Sequence, residues 1–403
     1  MLGTASERGQ EEVSRVWSRA FTYLIAVNFI TAMGFNMVFT TISEYAVNIV
    51  NSLSVAGTVS GIFSVGALIM RPFAGGMADR FNKKNLCIIA NVFIGIAVLG
   101  YSFSSSITGL IFFRALHGIL FAISSTVNVA LATRYIPLAR IGEGIGYFGL
   151  GQVVASVMGP IMGIHIARSF GFHALFMVIA LLSFVGAAML LSLRYTEVQR
   201  RHIHGARKRF SVDGLIAREV IVYACIGGLF SFGNGIVGAF MVLLADERNI
   251  AGIGLFFSVG AIGVCVLRLF AGRFLDKATL TVVVNISLIV TAISMAIIGF
   301  AQVLGLLILA SILKSIGQGG GQLALQAESV KKVDGSRVGV AISTFYIGAD
   351  IGQGLGPIIG GVISEHFSYS AMFGACSVLM LGSLLVFNIY QSKSGYASHG
   401  VDR

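Results

Sequence analysis

The sequence is short of charge. Only 11% of its 403 residues are Asp, Glu, Lys or Arg, whereas a soluble protein has charges at about a quarter of its positions. So few charged side chains cannot cover a surface that faces water. In addition, 56% of the residues are apolar and the mean hydropathy is +0.88. Most of the chain must therefore face lipid, which excludes an ordinary soluble protein.

Residue patterns that support catalysis or metal binding are also missing. The four cysteines have no metal-ligand spacing and each lies in an apolar run, which is typical of small buried side chains. The glycine-rich stretch 317–321 lacks the Lys and the Ser or Thr of a phosphate-binding loop, and no set of nucleophile and base emerges. We therefore predict no enzyme activity, no metal site and no cofactor.

Twelve apolar runs are long enough, at about 20 residues, to cross the hydrocarbon core of a bilayer as helices. Six precede and six follow the polar stretch Tyr195–Ala217, and residues 1–19 lack the pattern of a cleaved signal peptide. The sequence thus predicts an all-α membrane protein with a six-helix bundle in 1–194, a cytoplasmic linker in 195–217 and a second six-helix bundle in 218–403. The predicted spans are 20–41, 53–76, 85–103, 107–132, 142–167, 172–193, 218–244, 252–275, 280–300, 304–328, 338–363 and 370–390.

The two predicted bundles share an internal repeat. Residues 71–80 resemble residues 268–277, an offset of 197 positions. Matches at one spacing indicate two copies of a unit of about 200 residues, which is typical of membrane transporters built from two halves. The same offset maps Gly159-Pro160 onto Gly356-Pro357, and Arg140-Ile141-Gly142 onto Arg337-Val338-Gly339.

Basic residues are concentrated in alternate loops, and the opposite loops hold little beyond Arg168 and Arg248. Since cytoplasmic loops carry the excess of Lys and Arg, we predict that the rich loops and both termini lie in the cytoplasm. The net charge of +11 then reflects topology and attraction to anionic lipids rather than nucleic-acid binding. The rich loops contain Arg80, Lys83 and Lys84; Arg134 and Arg140; Arg194, Arg200, Arg201, Arg207, Lys208 and Arg209; Arg273 and Lys277; and Lys331, Lys332 and Arg337.

The loop between the second and third spans carries a motif. Its pattern, a Gly followed by Asp-Arg and two basic residues, resembles the signature loop of the major facilitator superfamily. Together with the spans and the repeat, this resemblance covers essentially the whole chain. Asn82 stands where the family usually has Gly, and we expect it to be tolerated because Asn adopts left-handed backbone readily. The matching residues are Gly75, Asp79, Arg80, Lys83 and Lys84.

The resemblance implies alternating access, and the motif is suited to a cytoplasmic gate. A carboxylate at this boundary can accept hydrogen bonds from a helix N-terminus and pair with Arg. We assign this role to Asp79, Arg80 and Lys83, with Asp276 as the counterpart of Asp79 in the second half. The alternative is that these charges only end the helices and set the topology.

Gly159-Pro160 in the fifth span and Gly356-Pro357 in the eleventh are similar to a motif of the antiporter branches of the superfamily. Ala155 and Ile164 depart from that motif. Proline kinks a helix, and glycines give a flat face for a neighbouring helix. We therefore predict helix pivots at these two sites, with simple close packing as the alternative.

Arg114 and Asp350 are ionisable residues that are predicted to lie deep in the membrane. Arg114 in the fourth span resembles the family's Arg motif, with His117 where Gln is common. An Arg at such a depth costs about 2.5–3.5 kcal/mol on insertion scales, so it normally faces the bundle interior. Asp350 lies about 18 Å along its helix from the cytoplasmic end. We predict that Asp350, with Arg114, couples proton movement; a structural pair or substrate contact are the alternatives.

A polar stripe follows one face of the tenth span. Its members recur every four residues, which keeps side chains on one face of a helix. Amides and an ammonium that faced lipid would be very unfavourable, so we expect them to line an aqueous cavity or to bond neighbouring helices. Asn28 and Asn36 in the first span form a weaker stripe, and His117 completes the predicted substrate cavity. The stripe consists of Lys314, Gln318, Gln322 and Gln326.

These patterns favour a secondary active transporter, most specifically a proton-coupled exporter of small organic molecules. The alternatives are an importer or symporter on the same fold, and a membrane sensor that transports nothing. Arg114 and Lys314 can suit an anionic or zwitterionic solute, whereas an apolar lining suits a lipophilic drug, so the substrate stays open. We expect a monomer in a prokaryotic plasma membrane, with protons and a small molecule as its partners.

Overall fold

A computed structural model of the protein describes residues 17–104, 106–137, 140–193, 216–275, 279–334 and 337–399. The regular structure in these ranges is helical, without a strand, which confirms the predicted all-α class. The helices are α1 (Arg19–Val50), α2 (Leu53–Arg80), α3 (Lys83–Phe103), α4 (Ile107–Ala132), α5 (Ile141–Ser192), α6 (Ile221–Glu247), α7 (Gly254–Leu275), α8 (Leu280–Phe300), α9 (Leu304–Lys331), α10 (Val338–His366) and α11 (Tyr369–His399).

The long helix α5 covers two predicted spans, 142–167 and 172–193. Its helical backbone is interrupted at Gly171, where φ is 85° and ψ is 164°. A positive φ favours glycine because this residue has no Cβ to clash with the backbone. The break therefore falls where the sequence predicts the connection between two spans.

Nine helical stretches in the described ranges are long and apolar enough to cross a membrane. One of them, Tyr147–Ser192, includes the break at Gly171. Helix α10 is not among the nine, because its glycines and polar side chains lower its hydropathy, and the apolar part of α7, Gly254–Leu267, is shorter. The multi-pass character is thus confirmed, while the count of twelve spans stays a prediction.

The contacts divide the chain into two compact units. One comprises Met1–Val38 and Gly66–Arg201, and the other Phe39–Val65 and His202–Arg403. The end of α1 and the start of α2 therefore group with the helices of the second half of the sequence. The predicted linker 195–217, apart from Ile216 and Ala217, lies outside the described residues.

Equivalent helices pack together in the two units. In the first unit α3 contacts α4 and α5, and in the second α8 contacts α9 and α11. In the first unit α5 lies against α1 through small residues: Gly151 approaches the carbonyl of Ile25, and Gly159 approaches Asn36. Small residues allow backbones to approach closely, which is the main source of helix association in lipid.

Helix α10 repeats this contact against α6. Gly348, Gly352 and Gly356 lie one turn apart, and a Cβ on any of them would collide with the backbone of Ala224, Gly228 or Phe232 of α6. The offset of 197 residues relates Gly348 to Gly151 and Gly356 to Gly159. Both copies of the repeat thus use the same row of small residues to hold the same pair of helices.

A second face of α10 is also closely packed. A Cβ at Gly57 or Gly61 of α2 would collide with the carbonyls of Pro357 or Gly354, and a Cβ at Gly361 would meet the carbonyl of Leu53. Glycine is required at these positions because two backbones lie in direct contact. Pro357, one of the predicted pivot residues, therefore lies between two close helix contacts.

We expect Gly352→Ala to destabilise the protein by about 1–3 kcal/mol, because the added methyl forces α6 and α10 apart. Gly382→Ala in α11 is the matched control, since nothing lies within 4 Å of a Cβ at that position. Thermal unfolding of both purified variants in detergent measures the difference. Equal melting temperatures for the two variants would show that the α6–α10 contact is not as close as described.

Candidate functional site

The predicted gate motif forms the corner between α2 and α3. The side-chain oxygen of Asn82 accepts a hydrogen bond from the backbone N–H of Asn85 at 3.0 Å, and Asn82 has φ −60° and ψ 112°. Asn82 is thus tolerated in an extended conformation, and the left-handed backbone that Asn also permits is not used here. Because α2 ends at Arg80 and α3 begins at Lys83, the corner requires a helix N-cap, and Asn is among the residues that serve best.

The basic residues of the motif have different environments. Lys84 Nζ donates to the carbonyls of Leu191 at 3.0 Å and Leu193 at 2.7 Å, which caps the end of α5 and satisfies carbonyls that a helix end leaves without partners. Lys83 is buried, whereas Arg80 is exposed. The side chain of Asp79 and the whole of Asp276 lie outside the described residues, so the gate stays a prediction.

A buried polar cluster joins α3 and α4 in the first unit. Arg114 and His117 lie one turn apart on α4, and both approach Tyr101 of α3. The Tyr101 hydroxyl lies 2.7 Å from Nδ1 of His117, and all three side chains are buried. Sequence reasoning predicted the burial of Arg114 and missed Tyr101, whose hydroxyl in the apolar run of α3 was the available signal.

The two asparagines of the first span donate to backbone carbonyls. Asn28 Nδ2 donates to the carbonyl of Phe148 in α5 at 3.1 Å, and Asn36 Nδ2 donates to Ala32 of its own helix at 2.8 Å. Unpaired amides would be costly in an apolar bundle. These bonds explain how α1 tolerates both residues, and their predicted role in a substrate cavity stays a prediction.

Lys314 connects three helices of the second unit. Its Nζ donates to Oδ1 of Asn234 on α6 at 2.8 Å. Nδ2 of Asn234 donates in turn to Oε1 of Gln353 on α10 at 3.2 Å. Sequence reasoning found Lys314 but missed Asn234 and Gln353, although an amide within an apolar run was the visible signal in both cases.

The other members of the stripe differ in how they are satisfied. Gln322 Nε2 donates to Ser231 Oγ at 2.9 Å, and Gln326 Nε2 donates to the Tyr346 hydroxyl at 3.1 Å. Gln318 is only 9% exposed, and its Oε1 has no hydrogen-bond partner among the described residues. The stripe therefore does bond neighbouring helices, and Gln318 Oε1 is a buried acceptor that receives no hydrogen bond from the described residues.

The remaining predicted residues have clear positions and untested roles. Asp350 is half-buried on α10 in the second unit, whereas Arg114 belongs to the first unit. Their joint role in proton coupling stays a prediction. Gly159 and Pro160 lie on α5 and Gly356 and Pro357 on α10, at close helix contacts in each case. Close packing is therefore present at both sites, and the pivot stays a prediction.

Sequence reasoning also missed a contact at the C-terminal end of α10. Glu365, two residues beyond the predicted span 338–363, accepts hydrogen bonds from the backbone N–H of Ser54 at 2.6 Å and from Ser52 Oγ at 2.8 Å. The contact joins α10 to the first turn of α2, where backbone N–H groups are free to donate. These donors, the Ser54 N–H above all, lower the pKa of Glu365 from 4.5 to about 2.

This contact predicts a specific pH dependence. A carboxylate with a lowered pKa in the folded state stabilises the protein above its unfolded pKa, and the stabilisation is lost as pH falls from about 4.5 towards 2. We expect Glu365→Gln to lower the melting temperature at pH 7 and the difference from the wild type to shrink below pH 4.5. A difference that stays constant between pH 7 and pH 3 would contradict the contact.

Comparison with known proteins gives a consistent result. The family model of the Major Facilitator Superfamily matches residues 24–243 and 223–398. The chain is 24% identical over 363 residues to the uncharacterized MFS-type transporter YuxJ of Bacillus subtilis, covering 85% of this chain and 90% of that protein. It is 25% identical over 395 residues to the multidrug resistance protein MdtG of Klebsiella pneumoniae, covering 94% of both chains.

Solved structures resemble the chain in fold. The nucleoside transporter NupG superposes with a TM-score of 0.80 at 14% identity, covering 92% of this chain and 99% of that chain. The POT family transporter PepTSo superposes with a TM-score of 0.76 at 11% identity, covering 94% and 98%. At these identities the likeness establishes the fold and leaves the substrate open.

Proposed function

Since the chain belongs to the Major Facilitator Superfamily and is a membrane transporter, we propose that it is a proton-coupled exporter of small organic molecules. The observation that carries this proposal is the similarity to proteins named for multidrug resistance, which extends over 94% of the chain. The Gly-Pro pairs on α5 and α10, which resemble the antiporter motif, support the same direction of transport.

The proposed topology has twelve spans in two halves, 1–194 and 218–403, with both termini and the linker in the cytoplasm. The positive-inside distribution of Lys and Arg supports this orientation. The matching contacts of α3 and α8, and of α5 and α10, support the two-fold repeat. The protein acts as a monomer in the plasma membrane, and the bacterial relatives support that location.

The proposed mechanism exchanges protons for substrate. Asp350 takes up a proton when its surroundings open to the outer side and releases it to the cytoplasm. Arg114 takes part with Asp350 in this proton coupling. Removal from water disfavours an ionised carboxylate, so a half-buried Asp is a suitable proton carrier. Asp79, Arg80, Lys83 and Asp276 close the cytoplasmic side, and α5 and α10 bend at their Gly-Pro pairs.

The direct test is flux across everted membrane vesicles. A substrate is first identified by comparing metabolites and added drugs, inside and outside, in cells with and without the gene. We expect this substrate to accumulate in everted vesicles when their interior is acidified, and to leak out when nigericin collapses the pH gradient. Flux that ignores the gradient would refute antiport, and accumulation in intact cells would indicate an importer.

Replacement of the proposed proton carrier separates coupling from transport. We expect Asp350→Asn to abolish accumulation driven by the pH gradient while exchange of labelled for unlabelled substrate continues, because a neutral amide cannot release a proton. Glu328→Gln is the matched control, since Glu328 lies in the last turn of α9 and forms an ion pair with Lys332 at 3.7 Å. Full gradient-driven uptake by Asp350→Asn would exclude Asp350 as the coupling residue.

A further inference from the structure

The Lys314 ammonium is only partly satisfied. It carries three N–H donors, and it makes one hydrogen bond, to Oδ1 of Asn234. No carboxylate of the described residues lies within ion-pair distance of it. Asn234 is a neutral partner that is itself engaged with Gln353. The second unit thus holds a positive charge, half-buried, with no counter-charge from the part of the chain that the structure describes.

One turn further along α9, Gln318 has an acceptor without a donor, whereas Lys314 has donors without an acceptor. The Gln318 side chain is buried, and Oε1 receives no hydrogen bond from the described residues. Buried acceptors are rarely left without a donor, and each exception in a native protein needs an explanation, for which a functional role is one candidate. The next residue of the stripe, Gln322, already donates to Ser231. Within the stripe, the groups with unused hydrogen-bonding capacity are therefore those of Lys314 and Gln318.

The two groups lie on the same face of α9. Residues four positions apart in a helix are about 6 Å apart along the axis and point in the same direction. Lys314 lacks an anionic partner, and Oε1 of Gln318 lacks a hydrogen-bond donor. A single small molecule can supply both groups if its anionic end and an N–H or O–H are separated by a short chain.

We propose that Lys314 and Gln318 form a substrate half-site for organic anions that also carry a hydrogen-bond donor. The anionic group, such as a carboxylate, pairs with the Lys314 ammonium, and the N–H or O–H of the substrate donates to Oε1 of Gln318. Asn234 and Gln353 orient the ammonium. This inference rests on the proposed transport function, because it names the substrate class that the transporter carries.

Three matched probes test both contacts on the purified protein in nanodiscs. N-benzoyl-β-alanine has a carboxylate and an amide N–H; 4-benzoylbutyrate replaces the N–H by a methylene; N-benzoyl-β-alaninamide removes the negative charge. Dissociation constants follow from the shift of the melting temperature with probe concentration. We expect N-benzoyl-β-alanine to bind about tenfold more tightly than either of the others, since each lost contact costs about that factor.

Variants assign each preference to its residue. We expect Lys314→Met to bring the carboxylate and its neutral amide within about twofold of each other, and Lys314→Arg to restore the preference for the carboxylate. Gln318→Met should equalise the N–H and methylene probes while the preference for a carboxylate remains. Gln302→Leu, an exposed change just before α9, should leave the ranking unchanged.

Equal binding of all three probes by the wild-type protein would overturn the proposal, whether or not the variants fold. A ranking that persists in Lys314→Met would equally overturn it, because the stripe would then serve only to join helices. Failure of the exporter hypothesis gives a different result: the probe ranking holds, but flux does not respond to the pH gradient. Gradient-driven export confined to cationic drugs would instead reject this half-site alone.

Discussion

The absence of water around most of the chain is the constraint on which the rest of the structure depends. A polar group within an apolar bundle must find its partner in the protein itself. Arg248 shows how this is achieved: its guanidinium donates to the carbonyls of Ile298, Gly299 and Ala301 at the end of α8 and to Ser370 Oγ. Lys84 likewise donates to the carbonyls at the end of α5. Basic residues in the loops between spans thus also satisfy the free carbonyls at helix C-termini.

Close backbone contact is the second consequence of the lipid environment. Lipid tails are as apolar as Leu, so helices gain little from burying large apolar side chains and associate through packing of small ones. Helix α10 has glycines on two faces, one against α6 and one against the start of α2. The same glycines lower its hydropathy, which is why α10 is not among the nine stretches that are apolar enough to count as membrane spans.

The repeat preserves packing and changes chemistry. His117 and Lys314 occupy equivalent positions, 197 residues apart. His117 contacts the hydroxyl of Tyr101, which Arg114 also approaches. Lys314 contacts the amide of Asn234 and retains donors to spare. The repeat therefore keeps the helix packing while the side chains at equivalent positions differ, and the spare N–H donors of Lys314 suit recognition of an anionic solute.

The sequence alone determined the helical class, the family and the position of most helices, because hydropathy, loop charge and the repeat are properties of local segments. It did not determine where α1 and α11 end, since these helices run to Val50 and His399, nine residues beyond the predicted spans. It also identified Arg114, Lys314 and Gln318 as groups that must turn away from lipid. Only the tertiary structure decided that Arg114 approaches Tyr101 and that Lys314 bonds Asn234, because these partners lie on other helices and are ordinary in type. The N-cap at Asn82 and the carboxylate of Glu365 on the first turn of α2 were decided there too, because each depends on where a neighbouring helix begins.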